Sequence, residues 1–348
     1  MKTKSRISPW QVFVLLMLGR IMYSMLYQAR NFTSGTPMML GQLLATIIEA
    51  IIAIPLLAFL SYGEPLAESI SPKSAVQAII KGGFAIYFTV LFSMMLAGFA
   101  AFMHNQFSVV GSPITVIIIL ALASAYCASL GLEGIARAAG IVFWCVIVLV
   151  VSMALLSEGE PNWLYLQPMT KGDIATMLEY MNESRGSSWW LPMLASISGN
   201  LKKDSWRAGI WYLVGKLVFV ELLIFAVTVI LWRFVNVPGY PILALGAYAK
   251  TDFVQRFDAV NMFVWTLNCV IVGGSYLYSS SGVGEKKRKI CIWLFALAAV
   301  ALAAIEYYLE VPLQSGLAVA FRGWGTLILG MMLPLIAIIT IKRRRKCA

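Results

Sequence analysis

Charge is scarce in this 348-residue chain. Asp, Glu, Lys and Arg together make up 12% of it, against 60% apolar residues, where soluble domains carry about 25% charged residues. A water-soluble fold is thereby excluded, because it could not hide so much apolar surface. Histidine occurs once, at His104, with no second ligand at metal spacing, so no metal site is expected. The five cysteines (Cys127, Cys145, Cys269, Cys291 and Cys347) are scattered without a CxxC pair, four of them within or at the start of apolar runs. That excludes a disulfide framework and a thiolate metal centre. Also missing are Gly-x-Ser-x-Gly, HExxH, a phosphate loop and a carboxylate pair in a soluble domain. An enzyme is not expected, and neither is a cofactor.

Long apolar runs are what the chain has in abundance. A helix rising about 1.5 Å per residue needs roughly 20 residues to cross a bilayer core of about 30 Å, and on that measure ten spans are expected. They cover about 10–27, 38–60, 77–102, 113–130, 135–156, 187–199, 207–234, 256–280, 289–305 and 324–341. The first run lacks a small-residue cleavage site and is followed by many like it, so it reads as a span rather than a signal peptide. The first and sixth spans are short and read as broken or partial. Ten spans shortened at these two places fit an all-α membrane protein built as a five-plus-five inverted repeat. The expected organisation is one polytopic domain over 1–348. Repeat one covers about 10–156, an acidic outer loop 157–186, repeat two about 187–341, and a basic tail 342–348.

The net charge of +11 would suggest a nucleic-acid partner in a soluble protein, but here the cations sit in short loops and tails, which is a topology signal. With the N-terminus inside, eighteen of the 27 Lys and Arg residues fall in the inner segments. Seven fall outside: Arg30, Lys171, Arg185, Arg233, Lys250, Arg256 and Arg322. Both termini are therefore expected in the cytoplasm. The outer loop is net acidic and is expected to form a short surface helix around Ile174 to Met181.

Ionisable groups in a bilayer core are costly and usually face the bundle interior or a cavity. Four stand out: Arg20, Glu49, Lys216 and Glu221. Arg20 and Glu49 lie at similar depth, so a cross-helix pair is geometrically possible, either fixing the packing or meeting a ligand. Lys216 and Glu221 are five residues apart, point away from one another on a helix, and need different partners. In span six, Pro192 with Ser196, Ser198 and Gly199 either exposes polar backbone to a ligand or simply kinks the helix. In span eight, Asn261, Trp265 and Asn268 form a polar and aromatic stripe suited equally to interhelical hydrogen bonds and to substrate. Gly82, Gly83, Gly98, Gly273 and Gly274 read as packing positions. Glu133 and Arg137 read as an i,i+4 pair at a helix start.

Four stretches together resemble the B-subunit family of spore germinant receptors, membrane proteins similar to the amino acid, polyamine and organocation transporter superfamily. They are Ile7-Ser8-Pro9-Trp10-Gln11, Gly131-Leu132-Glu133-Gly134-Ile135-Ala136-Arg137, Leu166-Gln167-Pro168-Met169 with Gly172, and Gln255-Arg256-Phe257-Asp258-Ala259. The resemblance implies a ten-helix amino acid transporter fold and a nutrient pocket between spans one, three, six and eight. It also implies assembly with A and C subunits in the spore inner membrane, where an amino acid or similar nutrient would trigger germination. A secondary amino acid transporter of the same fold is the alternative. Candidate ligand-binding residues are Gly19, Arg20, Tyr23, Trp189, Pro192, Ser196, Asn261, Trp265 and Asn268. The chain departs from the pattern in span six, which lacks Gly-Glu after its proline, and at Arg20, where a small neutral residue is more usual.

Overall fold

The computed structural model describes residues 6–26, 35–106, 112–156, 162–166, 170, 172–185, 188–230, 257–282, 285–309 and 316–347. These are helical almost throughout, and among them the one β-type contact is an isolated bridge between Ile7 and Leu201. The helices are α1 (Pro9–Leu26), α2 (Gly35–Leu60), α3 (Leu66–Ile70), α4 (Ser74–Gln106), α5 (Pro113–Ser129), α6 (Leu132–Leu155), α7 (Asp173–Arg185), α8 (Trp190–Ile197) and α9 (Trp206–Ile230). After these come α10 (Phe257–Ser280), α11 (Glu285–Tyr308), α12 (Gly316–Gly325), a π-helical turn (Thr326–Met332) and α13 (Leu333–Cys347). Eight of these helical stretches, counting α12 to α13 as one, are long and apolar enough to cross a membrane, and Pro113–Ser129 is a shorter apolar helix. The remaining expected span, the sixth, is α8, whose eight residues rise only about 12 Å. The ten apolar stretches of the sequence thus each have a helical counterpart. The ends of spans seven and eight at 231–234 and 256, and the stretches Gln167–Met169 and Gln255–Arg256, lie outside the described residues.

The helices are inside out relative to a soluble bundle. On α2, Gln42, Thr46 and Glu49 are buried while Ile47, Ile51 and Ile54 are 49%, 61% and 60% exposed. In water that arrangement would be unstable; against lipid it is the favourable one, because the polar groups find partners only inside. Close approach of α10 to α4 and α5 follows from its glycines. A Cβ at Gly273 would lie 2.5 Å from Phe92, and one at Gly274 3.1 Å from Cys127, so the packing reading holds there. At Gly82 a Cβ would meet nothing within 4 Å, and packing does not account for that residue.

The expected inner connections gather at one end of the bundle. The Ile7 N–H donates to the Asn200 carbonyl (3.2 Å), the Leu66 N–H to Ser198 Oγ (3.1 Å), and Asn200 Nδ2 to the Tyr278 hydroxyl (2.8 Å). Arg288 donates to that same hydroxyl (3.1 Å), and Arg345 lies over the Tyr62 ring. The α5–α6 turn closes on Gly131 at φ +87°, a left-handed conformation that favours glycine. Just after it Glu133 and Arg137 form an exposed i,i+4 ion pair. One polar vestibule of about 540 Å³ at this end is lined by Pro65, Lys81, Gly131, Asn200, Tyr278 and Arg288 among others.

At the opposite end the expected outer helix is present, longer than 174–181, as α7 (Asp173–Arg185). It is more than a surface feature. Tyr23 on α1 donates its hydroxyl to the Glu183 carbonyl (3.3 Å), and Ser184 donates to Gln42 on α2 (2.5 Å). α7 thereby closes over α1 and α2 at this end of the bundle.

Candidate functional site

Glu49 lies at the centre of the bundle and is 1% exposed. Its Oε2 accepts from Lys216 Nζ on α9, which is fully buried, and its Oε1 accepts from the Trp190 indole N–H (2.5 Å). Trp190 in turn packs against Tyr212 at 4.9 Å between ring centres. The anion at mid-span is therefore held by an ammonium and an indole, which satisfies both carboxylate oxygens as a buried ion pair requires. The partner of Glu49 is Lys216, not Arg20 as depth alone suggests. Depth fixes how far along a helix a residue lies but not which way it faces.

Arg20 is buried for a different purpose. It stands over the Tyr23 ring, 5.3 Å from its centre, and Arg322 on α12 stands over that same ring, also at 5.3 Å. Both arginines are 2% exposed. Nε and Nη1 of Arg20 have no hydrogen-bond partner, and neither do Nε, Nη1 and Nη2 of Arg322. Beside them lies a small cavity of about 30 Å³ lined by Gly19, Met22, Tyr23, Leu91, Trp189, Tyr276 and Arg322 among others. The Trp189 ring lies against the backbone at Gly19, where a Cβ would come within 2.1 Å of it, and meets Tyr276 edge-on at 5.3 Å. Its indole N–H is buried and unpartnered as well. Gly19, Arg20, Tyr23 and Trp189, singled out in the sequence, thus come together where α1, α4, the entry to α8, α10 and α12 meet.

Of the other candidates, Asn268 adjoins this group through Met22 (3.9 Å to its sulfur). Pro192 sits in the first turn of α8, where a missing N–H is no loss, and its Cδ would be 3.1 Å from a Cβ at Gly330 in the π turn. Ser196 donates to the Met193 carbonyl (2.8 Å) and lines the inner vestibule. Asn261 Oδ1 accepts from the Trp265 indole within α10, and Asn268 Nδ2 donates to the Leu18 carbonyl on α1 (3.2 Å). Of the stripe on α10, Asn268 thus ties the helix to α1 while the Asn261–Trp265 bond stays within it, and Asn261 Nδ2 and Asn268 Oδ1 are buried without a partner. Glu221 is half-buried on α9 with Oε2 unpartnered.

A second open space, about 520 Å³, lies between α2, α7 and α12. Glu49, Glu179, Asn182, Glu183, Trp324 and Thr326 contribute to its lining. Asp173 opens α7 by accepting at Oδ2 from the Thr170 N–H and hydroxyl, both at 2.8 Å. Those hydrogen bonds hold its carboxyl below the usual carboxylate range.

Arg322 is the functional-site residue that hydropathy misplaces. Counting apolar residues starts the last span at 324 and leaves this cation among those of the outer loops. In the structure α12 begins at Gly316 and carries Arg322 into the bundle. The available signal is the amphipathic run Gly316–Gly325, whose one cation follows the apolar Leu317-Ala318-Val319-Ala320-Phe321.

No protein-family description matches the chain, and no curated protein does. Among solved structures the chain is similar to a Na+-coupled sialic acid symporter in a substrate-bound outward-open state. The TM-score is 0.62 and the sequence identity 12%, over 97% of this chain and 79% of that one. At that identity the likeness is one of fold. The chain is accordingly an all-α, multi-pass membrane protein with the five-plus-five fold of secondary transporters.

Proposed function

We propose that the chain is the membrane-embedded B subunit of a spore germinant receptor. In this reading it binds an amino acid or similar small nutrient at the Gly19–Trp189 locus and acts with A and C subunits in the spore inner membrane. The observation that carries the binding half is the enclosed group of unpartnered donors around the cavity between α1, α4, α8, α10 and α12. Buried polar groups are normally paired, and a set left open inside a transporter-type bundle is what a removable ligand would complete. The receptor half is supported by the four sequence stretches resembling that family. The bias of Lys and Arg toward the two ends of the chain and the inner connections supports an orientation with the termini in the cytoplasm.

A second reading, a secondary transporter for the same class of nutrient, is favoured by the extent of the match to a symporter. The two readings differ in what the ligand drives. A receptor needs a ligand that prefers one of two conformations and passes that preference to its partners, whereas a transporter must open the inner and outer vestibules in alternation. The test is calcium dipicolinate release from spores lacking this gene, with and without complementation, across a panel of amino acids. Loss and rescue of the response to one nutrient supports the receptor. Unchanged germination with altered uptake of that nutrient by growing cells supports the transporter.

A further inference from the structure

We infer that Arg20 and Arg322 form a compact-anion site, taking either a halide-sized ion or the carboxylate of the bound nutrient; the carboxylate source rests on the nutrient-binding reading above. Four charged side chains are buried among the described residues, namely Arg20, Glu49, Lys216 and Arg322. Three of them are cations, and the one anion is engaged by Lys216. A single tyrosine ring faces the other two guanidinium groups, and the quadrupole of one ring offsets only a small part of the cost of burying two charges. Every unpartnered nitrogen around Tyr23 belongs to a donor: five guanidinium nitrogens and the Trp189 indole N–H. Guanidinium has no acceptor to offer in return, so these groups cannot satisfy one another. A ligand that supplies acceptors and negative charge together meets that need, and the forked geometry of arginine suits a carboxylate in particular. The cavity of about 30 Å³, lined by Arg322 and Tyr23 and adjoined by Arg20 through that ring, exceeds what one water needs and excludes a bulky anion unless the Trp189 ring moves off Gly19.

The test uses the purified full-length chain in phosphatidylcholine nanodiscs, whose lipid carries no net charge. Its thermal unfolding midpoint is followed while isethionate, too large for the cavity, is replaced at constant ionic strength by chloride or by acetate. A saturable rise in midpoint is expected. Arg322→Gln and Arg20→Gln should each weaken the apparent affinity by about tenfold to a hundredfold, the loss that goes with one charge-assisted hydrogen bond. Arg207→Gln, at an exposed position over Trp206, should leave it unchanged. Saturation by chloride identifies a free ion as the occupant; saturation by acetate alone identifies the nutrient's carboxylate. A midpoint indifferent to both anions in the wild type overturns the proposal, and this arm does not depend on any variant folding. A saturable response that survives in the double variant overturns it too. Because no spore is involved, a flat titration leaves the germination reading standing, and a spore phenotype unlike the one expected leaves the anion site standing.

Discussion

Replacing Glu49 with glutamine removes one charge and turns one of its two acceptor oxygens into an N–H donor. The new side chain would keep an oxygen for the Trp190 indole and a similar volume, but Lys216, fully buried, would lose its counter-charge. Stranding one member of a buried pair costs about 3–5 kcal/mol, whereas replacing both by apolar groups of similar size is neutral or stabilising by about 1–4 kcal/mol. Glu49→Gln should therefore be severely destabilised, Lys216→Met less so because the carboxylate retains the indole N–H, and the double variant, which strands an amide rather than a charge, less than Glu49→Gln alone. Unfolding in mixed micelles of rising dodecyl sulfate fraction, followed by circular dichroism, gives the three free energies and their coupling. The reasoning is refuted if Glu49→Gln lies within about 1 kcal/mol of wild type, or if the double variant loses as much as the two singles together.

Gly19→Ala places a methyl group 2.1 Å from Trp189, an overpacking cost of about 1–3 kcal/mol. It should abolish the nutrient response at a near-normal membrane level, with partial recovery on Trp189→Phe, as dipicolinate release and immunoblotting will report. Because the native carboxyl of Asp173 titrates below its unfolded value, its contribution to α7 is present above the unfolded value, about 3.9, and lost as pH falls through the native one. Protection of the α7 amides, as exchange relative to the intrinsic rate at each pH, should therefore fall on acidification in the wild type, and start low and vary less with pH in Asp173→Asn. A fluorescent protein fused after Ala348 should be bright if the basic tail is cytoplasmic, and dark fusions at normal expression would reverse the orientation.

How much of this is legible in the sequence differs by level. Ten apolar stretches have ten helical counterparts because hydropathy is summed over about twenty residues and tolerates local error. The shortness of span six is legible for the same reason: Trp189 to Gly199 holds too few apolar residues to cross. Pairing is not legible. Glu49 faces Lys216 rather than Arg20 because of the rotation of α1, α2 and α9 about their own axes, which lengths and depths do not encode. Arg322 escapes notice because one cation among glycines lowers the local hydropathy enough to read as a loop. Only tertiary closure by α1, α4 and the Trp189 segment makes its burial possible. Gly19 and Trp189 both stand out in the sequence, but their contact, one ring resting on one backbone, is a property of the assembled bundle.

The π-helical turn at Thr326–Met332 acts as a splice in the last span. A π turn holds an extra residue relative to an α turn, and this one brings Gly330 flush against Leu191 and Pro192 of the half-length helix α8. Upstream of the splice stands Arg322; downstream, Arg345 reaches Tyr62 at the far mouth. Deleting a single residue inside the turn would restore ordinary α geometry and rotate the two halves against one another by about 100°, so that only one of these arginines could keep its place. The two ends of the shaft are thus phased by one residue.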